Sequence, residues 1–252
     1  MGFGSLLNAT LSLCDCELLR YLLERFDVGR CSIHLEEEEL LLGDDDVQKT
    51  LGIPRGQQTV VEAEITSKDP QFTGLVALWR QRWGVKTGTP TTSQMLNGII
   101  ERRDHGDMFK RDFIIYVVST LIRGFKNMFC NYRLLYSLQD VSKIQDFNWC
   151  AYTIRSLVDT TTTWRGKRDA AFTGPATFLM VRGEIVRKRI PTITSWTSSD
   201  LRARVKVERD IGGFGKGKVV EYIPDAHQPP PPQLSPPVNC HKVRKLKRSP
   251  PH

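Results

Sequence analysis

Apolar residues recur along this chain at intervals of three and four, the repeat of a helix with one buried face. Leu13, Leu18, Leu19, Leu22, Leu23 and Phe26 make the first such run, with Asp15 placed to cap it and Gly29 to close it. Phe72, Leu75, Val76, Leu78, Trp79 and Trp83 predict a second helix. Met95, Leu96, Ile99 and Ile100 predict a third, with Thr92 or Ser93 at its cap. Leu134, Leu135 and Leu138 read as a short helix, and Asp140 as the cap of a turn through Val141 and Ile144. Trp149, Tyr152, Ile154, Leu157 and Val158 mark another helix. It is expected to weaken at Thr160 to Thr163, where β-branched side chains lose rotamer freedom. Trp164 to Lys167 reads as its polar exit, and Phe172 to Val181 as a further helix after Gly174-Pro175.

The chain is organised around the stretch from Asp107 to Asp159. Its centre, Phe113 to Ile122, is apolar on every helical face except at Ser119 and Thr120. Such a helix has to be buried on all sides. Asp107 is placed to cap it, and Gly124 stands where it should stop. The segment is too short to cross a bilayer, which takes roughly 20 residues. It is therefore expected to be a central core helix, with the helices from Tyr132 and Phe147 packed around it.

Elsewhere the pattern changes. Cys31 to Leu35 alternates as a strand, with Leu40 to Leu42 as its hairpin partner and the four acids Glu36 to Glu39 at a solvated turn. Asp44 or Asp45 starts a short helix through Val47 and Leu51 that Gly52 and Pro54 end. Gln57 to Thr66 reads as extended. Pro191 breaks the chain, and Gly212, Gly213, Gly215 and Gly217 make a flexible loop. Pro229 to Pro232 and Pro236-Pro237 keep the tail from about Asp225 out of any packed element. The expected fold is mainly α: a multi-helix globular domain over residues 1–222 with one small N-terminal β-hairpin, then a disordered Pro-rich basic tail over 223–252.

At 252 residues and 40% hydrophobic the chain can bury a core without staples. Its net charge of +8 favours an acidic partner, and the charge is unevenly spread. Lys242, Arg244, Lys245, Lys247 and Arg248 crowd one heptapeptide of the tail. That cluster is a candidate nuclear import signal, or a hold on phosphates through counterion release. The bland alternative is a solubilising tail. A second zone from Arg182 to Arg209 interleaves Arg187, Lys188, Arg189, Arg202, Arg204 and Lys206 with Trp196. These residues are candidates for gripping a nucleic-acid backbone and stacking a base. A solvated helical face around one core tryptophan is the commoner use of that pattern.

Candidate chemistry is thin. Of six cysteines only Cys14 and Cys16 are neighbours, and no second pair completes a zinc site. Gly212 to Val219 reads GGFGKGKV, a phosphate-loop pattern up to Lys218. It has Val219 where a magnesium-binding hydroxyl belongs, and it lacks the strand before and the helix after. His34, His105, His227, His241 and His252 fall in no protease-like context, and Asp44 and Asp46 carry no sign of a pocket. No catalytic, metal or cofactor residue is assigned. The N-terminus has no basic n-region of a secretory signal, and neither secretion nor a transmembrane segment is expected.

GFGSLL, the Leu-rich run into ERFD, DDDVQKTLGIPRG, FKRDFIIYVVSTLI, LLYSLQDVSKIQDFNWCAYTI and GGFGKGKV follow one another in this order. Together they resemble the aminotransferase-like plant mobile domain, over roughly residues 1 to 222. After Lys167 the pattern departs: AAFTGPATFLMVRGEIVRK is interrupted where an apolar run would sit. That family is associated with transposable elements and with host proteins derived from them, and in some members precedes a ubiquitin-like-protein-specific cysteine protease. The resemblance implies a helical, non-enzymatic nuclear interaction module linked to silencing or genome maintenance, with a protein partner and no cofactor. The alternatives are non-specific nucleic-acid binding through residues 182–209 and 242–248, or an accessory region of a transposon-encoded protease.

Overall fold

The protein's structure, a computed structural model, describes residues 1–9, 15–36, 38–181 and 190–216. The elements in chain order are α1 (Cys16–Arg25), β1 (Phe26–Asp27), β2 (Ser32–His34), β3 (Glu39–Leu41) and α2 (Asp44–Leu51). They continue with α3 (Pro70–Arg82), α4 (Thr92–Arg102), α5 (Asp107–Val117), α6 (Trp149–Arg165), α7 (Ala176–Val181) and α8 (Ser198–Asp210). A π turn, Val118–Ile122, continues α5, and 3-10 turns at Tyr132–Tyr136 and Val141–Asp146 lead into α6. The fold is mainly α with a small sheet near the N-terminus, as the hydrophobic repeat predicts. The expected tail over 223–252, together with Gly217, Lys218 and Leu13, lies outside the described residues.

The sheet has one strand more than the expected hairpin. It is antiparallel in the order β1-β2-β3, with Phe26 opposite Ile33 and His34 opposite Glu39. Phe26 was expected to end the first helix; it is fully buried at the start of β1 instead. The reason is tertiary. Arg165 of α6 donates to the carbonyls of Leu23 and Phe26, satisfying the end of α1 so that the chain can turn into a strand. Glu39, expected in the solvated turn, lies in β3, accepts from the Ser32 hydroxyl and pairs with Arg30 at 2.8 Å.

Asp15 caps α1 as expected, accepting from the amides of Glu17 and Leu18. Three other caps sit one residue before the expected ones. Gly43 caps α2, with its amide held by Asp46. Thr91 caps α4 in a reciprocal pair with Gln94. Gly106 precedes α5, leaving Asp107 as the first helical residue, ion-paired to Lys110. Of these three, only at α4 does a side-chain oxygen reach a first-turn amide, Thr91 accepting from Gln94; at α2 and α5 the acids lie inside the first turn, where they favour the positive end of the helix.

α6 runs through the four threonines. The hydroxyls of Thr160, Thr162 and Thr163 donate to the carbonyls of Ser156, Val158 and Asp159, and Thr161 is fully buried. Back-bonding to the preceding turn offsets the β-branched penalty. Because the helix continues, Trp164 falls on the face of Leu157, Thr160 and Thr161 and is buried, not a polar exit. α7 ends in Phe178, Leu179, Met180 and Val181, all buried, so the interrupted stretch after Lys167 still contributes to the core.

α5 and its π turn occupy the centre, with Ile114, Ile115 and Val118 fully buried. Burial on all sides does not hold. Thr120 is exposed, with its hydroxyl donating to the Tyr116 carbonyl, and Phe113, Tyr116 and Leu121 are half-buried. The extended segment before α3 joins no sheet; isolated backbone bonds at Gln58 and Ala63 and several side chains satisfy its backbone. Ser137 binds both the amide and the carbonyl of Val61 at 2.8 Å, Arg155 donates to the Val60 carbonyl, and Arg133 donates to the Ala63 carbonyl. Tyr152 donates to Glu62 at 2.6 Å; burial, then the neighbouring carboxylate, pushes that phenol upward.

Candidate interaction surfaces

The most elaborate polar site lies inside the fold. Asp112 is fully buried on α5. One carboxylate oxygen accepts from the indoles of Trp79 and Trp83 on α3, at 2.9 and 3.0 Å. The other accepts from Arg82 Nε at 2.8 Å, and Arg82 also pairs with Asp104. Burial works against the Arg82 charge, but the bonds to Asp112 and Asp104 outweigh it and hold its pKa above the ordinary arginine value. Arg102 lies 3.9 Å over the Trp83 ring, and Gly98 leaves room for both. Three fixed donors on its two oxygens make the Asp112 carboxylate a clamp between α5 and α3. Sequence reasoning missed it. The available signal was one acid at the edge of the apolar run, with two tryptophans one turn apart elsewhere.

The basic zone divides in two. Arg187, Lys188 and Arg189, and the tail residues Lys242, Arg244, Lys245, Lys247 and Arg248, lie outside the described residues. Arg202 and Lys206 are exposed, one turn apart on α8. Arg204 points inward. It donates to Glu208 and to the Met180 carbonyl, both at 2.9 Å, and stands 5.9 Å from the Trp196 ring. Trp196 is fully buried. Arg204 and Trp196 are therefore fixtures of the fold, and base stacking on Trp196 is excluded by its burial.

The glycine-rich loop folds back on α8. Gly212, Gly213 and Gly215 all have positive φ, which side chains other than glycine's resist. The Gly213 amide donates to the Glu208 carbonyl and the Gly215 amide to the Glu208 carboxylate. Phe214 packs on Tyr21 with ring centroids 5.4 Å apart. The anion this loop holds is the protein's own Glu208.

Burial pushes the thiols of Cys130 and Cys150 up to about 12, which suits packing and not nucleophilic chemistry. Cys16 is exposed. His34 Nε2 stands 3.9 Å from Asp27 and 3.8 Å from Glu39 on the sheet, too far for direct hydrogen bonds. Among the described residues no group of three His, Cys, Asp or Glu side chains is placed to hold a metal ion. No helix among them is long and apolar enough to cross a membrane. An open cleft of about 710 Å³ lies beside Ser5, Lys49, Gly52, Arg55 and Pro191; its Arg55 is already paired with Asp44 and Asp45.

Large apolar side chains stand in water at several places, two of them on α4 with the loop that meets it and on α3. Thr91 bridges to Phe129, and the Thr92 amide donates to the Met128 carbonyl, so the 125–129 loop meets the start of α4. Phe125, Met128 and Phe129 are exposed there, as are Leu96 and Ile100 one and two turns along α4. Met128 holds φ at +60°, a conformation that costs a residue with a side chain about 1 kcal/mol or more. The second place is α3. Phe72, Val76 and Trp79 face the core, while Leu78 is 61% exposed, near the exposed Gly74 and Ala77. A Cβ on Gly74 would meet nothing within 4 Å, so inside the fold this glycine only loses the roughly 1 kcal/mol that alanine would supply.

These features define a helical domain whose most elaborate polar cluster is internal and which exposes large apolar side chains on α4 and α3. Residues 1–180 match the family DUF8566, a domain of unknown function, and the chain belongs to that family. The match ends within α7, before α8 and the glycine loop. No curated protein and no solved structure matches the chain.

Proposed function

We propose that the protein is a non-enzymatic interaction module, of the transposon-derived nuclear kind that the resemblance to the plant mobile domain implies, with silencing or genome maintenance as its setting. The observation that carries this reading is the apolar platform of Leu96, Ile100, Phe125, Met128 and Phe129. Exposed apolar surface gathered in one place marks a docking site. Its strained Met128 is kept where an unstrained loop would be more stable, which points from an outlier towards use. The test is quantitative affinity purification from nuclear extract with the wild type and with Ile100→Glu/Met128→Glu. One or more proteins should be captured by the wild type and lost from the double variant. An identical set from both sinks the reading.

A second reading rests on Arg202 and Lys206. Two free-standing cations one turn apart on α8 can meet phosphates. Gel shifts with duplex DNA should then weaken steeply with salt, and Arg202→Glu/Lys206→Glu should reduce binding without lowering the melting temperature. Arg204→Ala should instead lower the melting temperature. No binding at low salt removes this reading and leaves the first intact.

A further inference from the structure

Three arginines from three separate segments gather around the Tyr152–Glu62 pair. Arg155 of α6 stands 5.8 Å from the Tyr152 ring and donates to the Val60 carbonyl at 2.9 Å. Arg133, in the Tyr132–Tyr136 turn, lies 3.3 Å from the Glu62 carboxylate that accepts the Tyr152 hydroxyl, and also donates to the Ala63 carbonyl. Arg123, just past the π turn, pairs at 3.0 Å with Asp159, one turn beyond Arg155 on α6. Burial and then Glu62 raise the Tyr152 phenol, and Arg123 is near enough to pull against that rise. Bracing the 60–63 backbone accounts for single bonds, not for three guanidiniums, each a planar fork of several N–H donors. Among the described residues these bonds take one donor of Arg123, one of Arg155 and two of Arg133, and all three side chains reach the surface.

We propose that this cluster is a binding site for a phosphate monoester, with Arg123, Arg133 and Arg155 as its donors and Asp159 giving up Arg123 to the ligand. The charges match. The three cations exceed Glu62 and Asp159 by one charge. Asp159 is 55% exposed, so its pair with Arg123 is weak. Once that pair yields, the surplus is two. A phosphate monoester carries about −1.5 to −2 near neutral pH, whereas a nucleic-acid diester carries a single charge and meets the surplus only in part. Guanidinium forks bind phosphate oxygens in parallel pairs, which lysine cannot do. The carbonyl bonds of Arg133 and Arg155 hold their heads before a ligand arrives and so lower the entropy lost on binding.

Isothermal titration calorimetry of the full chain tests this. O-phosphoserine and adenosine 5′-monophosphate present the same group on a side chain and on a nucleotide. Each should bind with a Kd on the order of 1 mM, and the tighter of the two names the source. Dimethyl phosphate, a diester, should bind at least about fivefold more weakly. Arg123→Gln/Arg155→Lys should weaken phosphoserine binding about tenfold or more, because it removes two forks. Asp159→Asn should tighten binding about threefold by freeing Arg123, an effect that a merely bracing role would not produce. Glu24→Gln, the same change in net charge at an exposed position of α1, should leave binding unchanged and so separates this site from basic residues elsewhere. No binding by about 10 mM phosphoserine overturns the proposal, as does binding that survives the double variant. So does an Asp159→Asn protein that binds no tighter than Glu24→Gln, a comparison that holds even if the double variant misfolds. Capture of proteins through the α4 platform bears on the proposed function and leaves this outcome untouched.

Discussion

Replacing Asp112 should separate the two halves of the buried clamp. The two indoles share one carboxylate oxygen and Arg82 has the other. Asp112→Asn can keep its carbonyl towards Trp79 and Trp83, but it turns an amide donor towards the Arg82 donor. That loses one charge-assisted bond, worth roughly 1.5–3 kcal/mol. Arg82 is 20% exposed and retains Asp104, which pulls the expected cost towards the lower end. Asp112→Ala removes both halves and orphans two indole donors, one on the fully buried Trp79. The expected loss is about 3–5 kcal/mol, the range for breaking a buried pair, against a total stability on the order of 5–15 kcal/mol. Asp104→Ala, at the exposed end of the same network, should cost about 1 kcal/mol or less. Urea unfolding followed by tryptophan fluorescence reads all three as midpoint shifts at constant slope. An Asp112→Ala loss below about 1 kcal/mol, or an asparagine variant as damaged as the alanine, would refute the division of roles.

Two other outcomes follow from close contacts and burial. Gly56→Ala places a Cβ 2.0 Å from the Asp146 carbonyl oxygen, where the 56–58 segment is bonded to residues 146–148. It should cost about 2–4 kcal/mol, while Gly4→Ala, which meets nothing within 4 Å, should stay within about 0.5 kcal/mol in the same melts. With thiols pushed up to about 12, Cys130 and Cys150 present roughly one thiolate in ten thousand at pH 8. Peptide-resolved alkylation at pH 8 should label the exposed Cys16 long before either. Equal rates in the native protein would contradict the burial described here.

The elements that were legible are those whose signal is local. Leu18, Leu19, Leu22 and Leu23 repeat with the helical period beside a capping Asp15, and burial follows because only one face of such a helix can meet the core. The alternation over Cys31 to Leu35 predicts the hairpin that Ser32–His34 forms with Glu39–Leu41, for the same kind of reason. What was illegible depended on a distant group. Arg165 decides where α1 yields to β1, from a position far along the chain. Residues 60–63 look featureless because Arg133, Ser137 and Arg155 supply the backbone bonds a neighbouring strand would otherwise make.

The same division holds at the surface. Composition and spacing by themselves determined a helical domain with its apolar positions inward, since burying those faces is favourable in almost any arrangement of the helices. They could not tell which cation is free. Arg202 and Arg204 differ by two positions in one basic run, and only the packing of α8 sends one to water and the other to Glu208 and the Met180 carbonyl. A side chain's role is set by what stands within a few ångströms of it, and that neighbourhood exists only once distant segments have met.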